Sequence, residues 1–124
     1  AFSSERNGGI DIYATNADGS DSEALRLTNV PGFDGAPAWS PDGTKIAFHR
    51  IHEIYVMNAD GTEATNLTNS DSTDIYPSWL AGGTRITFTS DRDGNLEVYV
   101  MNADGTGQTN LTSNPAQDLT LGGP

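Results

Sequence analysis

The run Asp91-Arg92-Asp93-Gly94-Asn95-Leu96-Glu97 alternates oxygen-bearing side chains around a glycine. Asp91, Asp93, Asn95 and Glu97 could wrap a hard cation such as Ca²⁺, which takes about six to eight oxygen ligands. The order of an EF-hand loop is missing, and a polar hairpin turn whose Asp93, Gly94 and Asn95 cap one another accounts for the same residues. Two related segments weaken the metal reading further. Ser4-Glu5-Arg6-Asn7-Gly8-Gly9-Ile10-Asp11 keeps part of the pattern, and His49-Arg50-Ile51-His52-Glu53 is four residues shorter. Asp34, Asp74 and Asp118 form a second set, each five residues before a tryptophan position. If the strands they open lie side by side, their carboxylates could converge, which would demand a cation or a raised pKa; the alternative is that each caps a local turn. Asn66-Leu67-Thr68 and Asn110-Leu111-Thr112 fit the N-glycosylation acceptor pattern, although both fall inside a repeat. Catalytic chemistry has little to stand on. His49 and His52 are the two histidines, Gly-x-Ser-x-Gly is absent, and Ser40-Pro41-Asp42-Gly43 has the residues of a turn.

The elements that must position these groups are repeated. Asn-Ala-Asp-Gly occurs at residues 16–19, 58–61 and 102–105, each time behind an apolar run containing Tyr13, Tyr55 or Tyr99. The tyrosines are spaced by 42 and then 44 residues, and Leu27-Thr28, Leu67-Thr68 and Leu111-Thr112 follow the three copies. A second shared segment runs from Ala36-Pro37-Ala38-Trp39 to Ile46-Ala47-Phe48 and from Tyr76-Pro77-Ser78-Trp79 to Ile86-Thr87-Phe88. Each unit thus predicts four short strands separated by Gly-containing turns, the pattern of a propeller blade. No segment carries convincing helical periodicity. Trp39, Trp79, Tyr13, Tyr55 and Tyr99 recur at the repeat spacing, which predicts packing between blades rather than ligand stacking.

Residues 88–107, together with Asp74-x-x-Pro77-x-Trp79, closely resemble the TolB-like propeller repeat. That repeat also occurs in the propeller domains of tricorn-type and prolyl-oligopeptidase-type peptidases. The resemblance covers nearly the whole chain and implies an all-β fold of about three four-stranded antiparallel blades. It implies much less about activity, since the same blades serve many roles.

The repeat phase divides the chain into one propeller-type domain, residues 1–124. Blade 1 takes residues 1–33, blade 2 residues 34–73 and blade 3 residues 74–117. Ala1-Phe2 matches Ala47-Phe48, so blade 1 opens at its second strand. Asp118-Leu119-Thr120-Leu121-Gly122-Gly123-Pro124 is in register with the first strand of the other blades, though no tryptophan stands at the position of Trp79. Residues 118–124 are therefore expected to complete a blade 1 in the same chain or in another copy. Three blades make an incomplete ring, with strand edges open to association. The chain could be a fragment of a longer propeller, two copies could form a six-bladed ring, or tails could link copies head to tail. A heterologous contact that does not close gives a fibre.

The remaining composition narrows the class of partner. The 124 residues carry a formal charge of −11 and no cysteine. That acidity argues against nucleic acid, which needs a basic face, and suits solubility, cation binding or a basic partner. No disulfide framework is possible, and no apolar run is long enough to span a membrane. The missing initiator Met suits a fragment or a removed signal peptide. The sequence therefore points to a non-enzymatic, extracellular or periplasmic propeller protein that acts by self-assembly, with calcium and glycans as candidate additions. A TolB-like protein-binding module and the propeller gate of a peptidase are the alternatives.

Overall fold

The computed structural model of the chain describes residues 1–5, 9–15, 25–29 and 32–112. Within them lie eleven strands in chain order: β1 (Phe2–Ser4), β2 (Asp11–Ala14), β3 (Leu25–Arg26), β4 (Asp34–Trp39), β5 (Lys45–Arg50), β6 (Glu53–Asn58), β7 (Thr65–Asn66), β8 (Asp74–Trp79), β9 (Arg85–Ser90), β10 (Glu97–Asn102) and β11 (Thr109–Asn110). They form three antiparallel meanders with the orders β1-β2-β3, β4-β5-β6-β7 and β8-β9-β10-β11. Blades 2 and 3 have the four expected strands. Blade 1 has three among the described residues, and the expected fourth, residues 118–124, lies outside them.

Strand register repeats as closely as the sequence does. Tyr55 faces Phe48 on β5 and Asn66 on β7, and Tyr99 faces Phe88 on β9 and Asn110 on β11. Both inner strands, β4 and β8, bulge ahead of Ala38 and Ser78. There Ala36 and Tyr76 adopt positive φ of 50° and 57°, each directly before a proline that disfavours the helical region.

The core lies between blades rather than inside them. One cluster joins Ile12 and Leu27 of blade 1 to Ile46, Phe48 and Met57 of blade 2. The other joins Ala47, Ile54 and Leu67 of blade 2 to Ile86, Phe88, Tyr99 and Met101 of blade 3. A single four-stranded sheet cannot cover its own apolar faces, so each blade is stabilised by its neighbour.

The Asp-Gly turn belongs to the same contact. Gly61 sits at φ 89° with Leu27 O so close that an added Cβ would lie 2.4 Å from it; Gly105 repeats this at φ 91°, with Leu67 O 2.7 Å away. The backbone conformation and the close approach both require glycine. The shared Asp-Gly and Leu-Thr motifs are therefore the two halves of one joint, with each blade's Asp-Gly turn seated on the Leu of the blade before it.

Trp39 departs from the expectation that both tryptophans are buried between blades. Trp79 is half-buried against blade 2, and its indole N–H donates to Ala38 O at 2.9 Å. Trp39 is 41% exposed. The acceptor for Trp79 is on β4, the inner strand of blade 2, and blade 1 has no counterpart of β4 among the described residues. Leu111 is likewise 50% exposed, against 9% for Leu27 and 8% for Leu67, each of which carries the Asp-Gly turn of a following blade.

Candidate functional site

Asp34 and Asp74, for which the sequence offered a shared mouth or a turn cap, each pair with an arginine. Each is almost fully buried inside its own blade, at 1% and 0% exposure, and faces an arginine. Arg50 grips Asp34 with both arms, Nε to Oδ1 at 2.7 Å and Nη2 to Oδ2 at 3.0 Å. Arg92 approaches Asp74 with Nη2, 3.3 Å from each oxygen. A buried carboxylate would be strongly unfavourable without such a partner. Asp118 lies outside the described residues.

Both guanidinium groups also lie over the same aromatic pair. Arg50 Cζ is 5.4 Å from the Phe48 ring centre and 4.8 Å from that of Tyr55; Arg92 Cζ is 5.4 Å from Phe88 and 4.7 Å from Tyr99. The rings stack at 5.8 Å and 5.7 Å. This is cation–π geometry, and it holds the guanidinium plane in place for hydrogen bonding. Hydrogen bonding to the Asp34 carboxylate, its largest influence, raises the Arg50 pKa further. Sequence reasoning missed this Asp–Arg–aromatic unit because the arginines occupy different offsets, two residues after Phe48 but four after Phe88.

The oxygens proposed for calcium take part in hydrogen bonds within the protein. Asp91 Oδ1 accepts from the Thr73 backbone N–H at 2.8 Å. Asp93 Oδ2 accepts from the Tyr99 hydroxyl and from Asn110 Nδ2, the latter at 3.0 Å. Glu97, 3% exposed, accepts from the same Asn110 nitrogen at 2.5 Å. Asn95 is also engaged within the protein. Among the described residues no three His, Cys, Asp or Glu side chains come together as a metal site. The hydrogen bonds to Tyr99 and Asn110 hold the Asp93 carboxyl below its ordinary pKa. Burial, then the Asp93 hydrogen bond, pushes the Tyr99 phenol up to about 12.

Asn66 and Asn110, the glycosylation candidates, are half-buried on β7 and β11. Asn66 Nδ2 donates to Glu53, as Asn110 Nδ2 donates to Glu97. A glycan would replace one of the two hydrogens on the nitrogen, so Asn110, which donates to both Asp93 and Glu97, would lose one of those bonds. In blade 1 the equivalent pair is Arg26 with the buried Asp11, an ion pair at 2.5 Å. One repeat position thus carries a carboxylate in all three blades, answered by guanidinium once and by amide twice.

His49 is packed among aromatic rings. It is 7% exposed, stacked on Phe33 at 5.9 Å and edge-on to Tyr76 at 5.8 Å. Its pKa is lowered mainly by burial.

Two hollows remain. A cleft of about 570 Å³ opens between blades 2 and 3 beside Pro41, Lys45, Val56 and Trp79. A smaller one of about 300 Å³ lies at the β5–β6 hairpin of blade 2, where Arg50 and Tyr55 form one wall and residues 70–72 the other.

Meandering four-stranded sheets packed face to face, with the core between them, define a β-propeller-type protein. The sequence matches the family profile PD40, the TolB β-propeller domain, over residues 22–120. The chain belongs to that TolB propeller family. A putative TolB from Agrobacterium tumefaciens is similar at 26% identity and a TM-score of 0.81, over 94% of this chain and 43% of that one. TolB from Acinetobacter baumannii gives 26% identity and a TM-score of 0.74, over 89% of this chain and 28% of that one. The fold alone is shared with a chain of the nidogen/laminin complex, at 18% identity and a TM-score of 0.71 over 89% of this chain and 41% of that one. This chain therefore spans less than half the length of these structures. No curated protein sequence gives a significant match.

Proposed function

We propose that the protein is a non-enzymatic, extracytoplasmic propeller unit that acts through protein contact, its open blade faces being completed by another copy of the chain. The observation that carries this reading is the exposure of Leu111 and Trp39, whose counterparts in the neighbouring joints are covered. Leu111 offers the seat that Leu27 and Leu67 give to a following Asp-Gly turn. In sequence, Asp18-Gly19 is the blade 1 copy of that Asp-Gly motif, and it lies outside the described residues. Trp39 offers the indole that Trp79 uses to reach an inner strand. In the repeat sequence the motifs that would meet these two groups stand at the opposite end of the chain, which is the pattern that head-to-tail association requires. An inner strand placed beside β1 as β4 lies beside β5 would offer Trp39 a backbone acceptor of the kind that Ala38 O gives Trp79, a form of strand complementation.

Light scattering across a concentration series tests the reading. The expected result is a mass above that of the monomer, together with a blue shift of Trp39 emission, read in a Trp79→Phe background. Deleting residues 118–124 is expected to abolish assembly while leaving blades 2 and 3 folded. A monomer at every concentration, with Trp39 emitting as an exposed indole, overturns it.

A second reading, a TolB-type protein-binding module, draws support from the family membership and from the cleft beside Trp79. A discrete monomer that retains a protein partner would favour it. Calcium is tested by melting with and without chelator. A rise with calcium that Asp93→Ala removes would assign the cation to that loop, because a ligand of the folded state stabilises it by mass action.

A further inference from the structure

We propose that the hollow at the β5–β6 hairpin of blade 2 is a binding site for a carboxylate, supplied by an aspartate or glutamate side chain of a peptide. The argument rests on blade 3, which shows what fills the same place. There Asp93, from the longer β9–β10 loop, accepts hydrogen bonds from the Tyr99 hydroxyl and Asn110 Nδ2, with the Arg92 guanidinium stacked beside the tyrosine. Arg92 also contributes Coulombic stabilisation to that carboxylate.

Blade 2 keeps the receiving groups. Tyr55 pairs with Asn66 across β6 and β7 as Tyr99 pairs with Asn110 across β10 and β11. Arg50 stands 4.8 Å over the Tyr55 ring, where Arg92 stands 4.7 Å over Tyr99. Glu53 takes the amide of Asn66 as Glu97 takes that of Asn110. What differs is the hairpin. Ile51 and His52 turn directly from β5 to β6, so the four residues that would carry an Asp93 equivalent are missing. In their place is the open volume of about 300 Å³, walled by Arg50, Tyr55, His52, Glu53 and residues 70–72.

The hollow is thus the negative of an internal ligand. A phenol donor and a nearby guanidinium match a carboxylate better than a neutral amide, because charge-assisted hydrogen bonds are the stronger kind. Glu53 does not forbid an anion, since Glu97 stands beside Asp93 in blade 3. Asp71, on the outer wall, and the net charge of −11 both work against it. The expected affinity is accordingly weak, in the millimolar range, and falls with added salt. This site does not depend on self-assembly, and it operates in a monomer as well as in an assembled array.

The full chain, labelled with ¹⁵N, is titrated with N-acetyl-Asp-Gly-Asn-amide, which copies the loop of blade 3. Saturable shifts are expected at the Arg50 Nε–H and at the amides of His52 and Tyr55. The Asn-Gly-Asn analogue is expected to bind about tenfold more weakly, a difference of about 1.4 kcal/mol. Tyr55→Phe keeps the ring between Phe48 and Arg50 but removes the donor, and it is expected to weaken the aspartyl peptide about tenfold with an unchanged unfolding curve. Tyr99→Phe is expected to leave binding unchanged. Acetate in place of the peptide distinguishes the source: equal shifts at equal concentration mean that a free carboxylate suffices, and weaker shifts mean that the peptide backbone contributes. Either result is consistent with a carboxylate site. Equal binding of the Asp and Asn peptides, no shifts with any carboxylate, or full binding by Tyr55→Phe overturns the proposal.

Discussion

Blades 2 and 3 share strand order, register and the Asp–Arg–aromatic unit, yet they treat their second hairpin differently. Blade 3 spends four extra residues to bring Asp93 onto Tyr99, and Arg92 gains Gln108 Oε1 at 2.7 Å. Blade 2 turns at once and has Ala64 at the position of Gln108. Arg50 compensates with the shorter, two-armed grip on Asp34. The lesson is that the conserved unit is the buried pair and its aromatic support, whereas the loop above it is free to vary. Variation at a loop over a fixed scaffold is where binding surfaces commonly arise.

The largest effects should come from breaking what the two blades share. Arg50→Met and Arg92→Met each leave a carboxylate buried without its cation, and each is expected to cost about 3–5 kcal/mol in urea unfolding. Equal losses would sharpen the view that the unit is equivalent in both blades. A loss below about 1 kcal/mol for Arg92→Met alone would show that its longer 3.3 Å contacts matter little and that Gln108 and Ser90 anchor the side chain for another purpose.

Next come the joints between blades. Gly61→Ala and Gly105→Ala force a Cβ against a leucine carbonyl and require a left-handed alanine, with an expected cost of about 2–3 kcal/mol each. The tryptophans separate a covered joint from an open one. Trp79→Ala should cost about 2–3 kcal/mol more than Trp39→Ala, measured on monomer at low concentration. If the difference disappears as concentration rises, the open joint has found its partner.

Much of this was legible in the residues. The three copies of Asn-Ala-Asp-Gly with Leu-Thr, and the Pro-x-Trp to Ile-x-Phe segments, gave the strands, the turns and the family resemblance, because repeat spacing and glycine placement act locally. What could not be read depends on neighbours. Trp39 and Trp79 are alike in sequence and differ in burial because, among the described residues, only Trp79 has an inner strand in the blade before it. The pairing of Asp34 with Arg50 and Asp74 with Arg92 is hidden by the unequal hairpins, which shift the arginine by two positions. In the Asp91 to Glu97 loop, Asp93 and Glu97 accept from Asn110 and Asp91 accepts from Thr73. Composition cannot reveal those partners.

The smallest effect isolates the extra contact of blade 3. Asp93 is a surface group, and its worth is best read as a titration. The Tyr99 phenol lies at about 12, raised first by burial and second by the Asp93 hydrogen bond. Asp93→Asn removes the negative charge, leaves a weaker neutral acceptor and keeps the burial, so Tyr99 should titrate between about 10, the ordinary phenol value, and its native position. The phenolate absorbance gives the shift directly. The sign for stability follows. A phenol whose pKa is raised on folding adds stability below the unfolded value near 10, and that contribution is lost as pH climbs toward 12. The native chain should therefore lose more stability across that alkaline window than Asp93→Asn does. Asp93 itself acts in the opposite direction. Its pKa is depressed, so its contribution is present above about 3.9 and disappears as pH falls below that value. If Asp93→Asn leaves both the Tyr99 titration and the acid limb unchanged, the loop contact is not formed in solution. Blade 3 would then be as open above Tyr99 as blade 2 is above Tyr55, and the peptide that copies the loop should bind both.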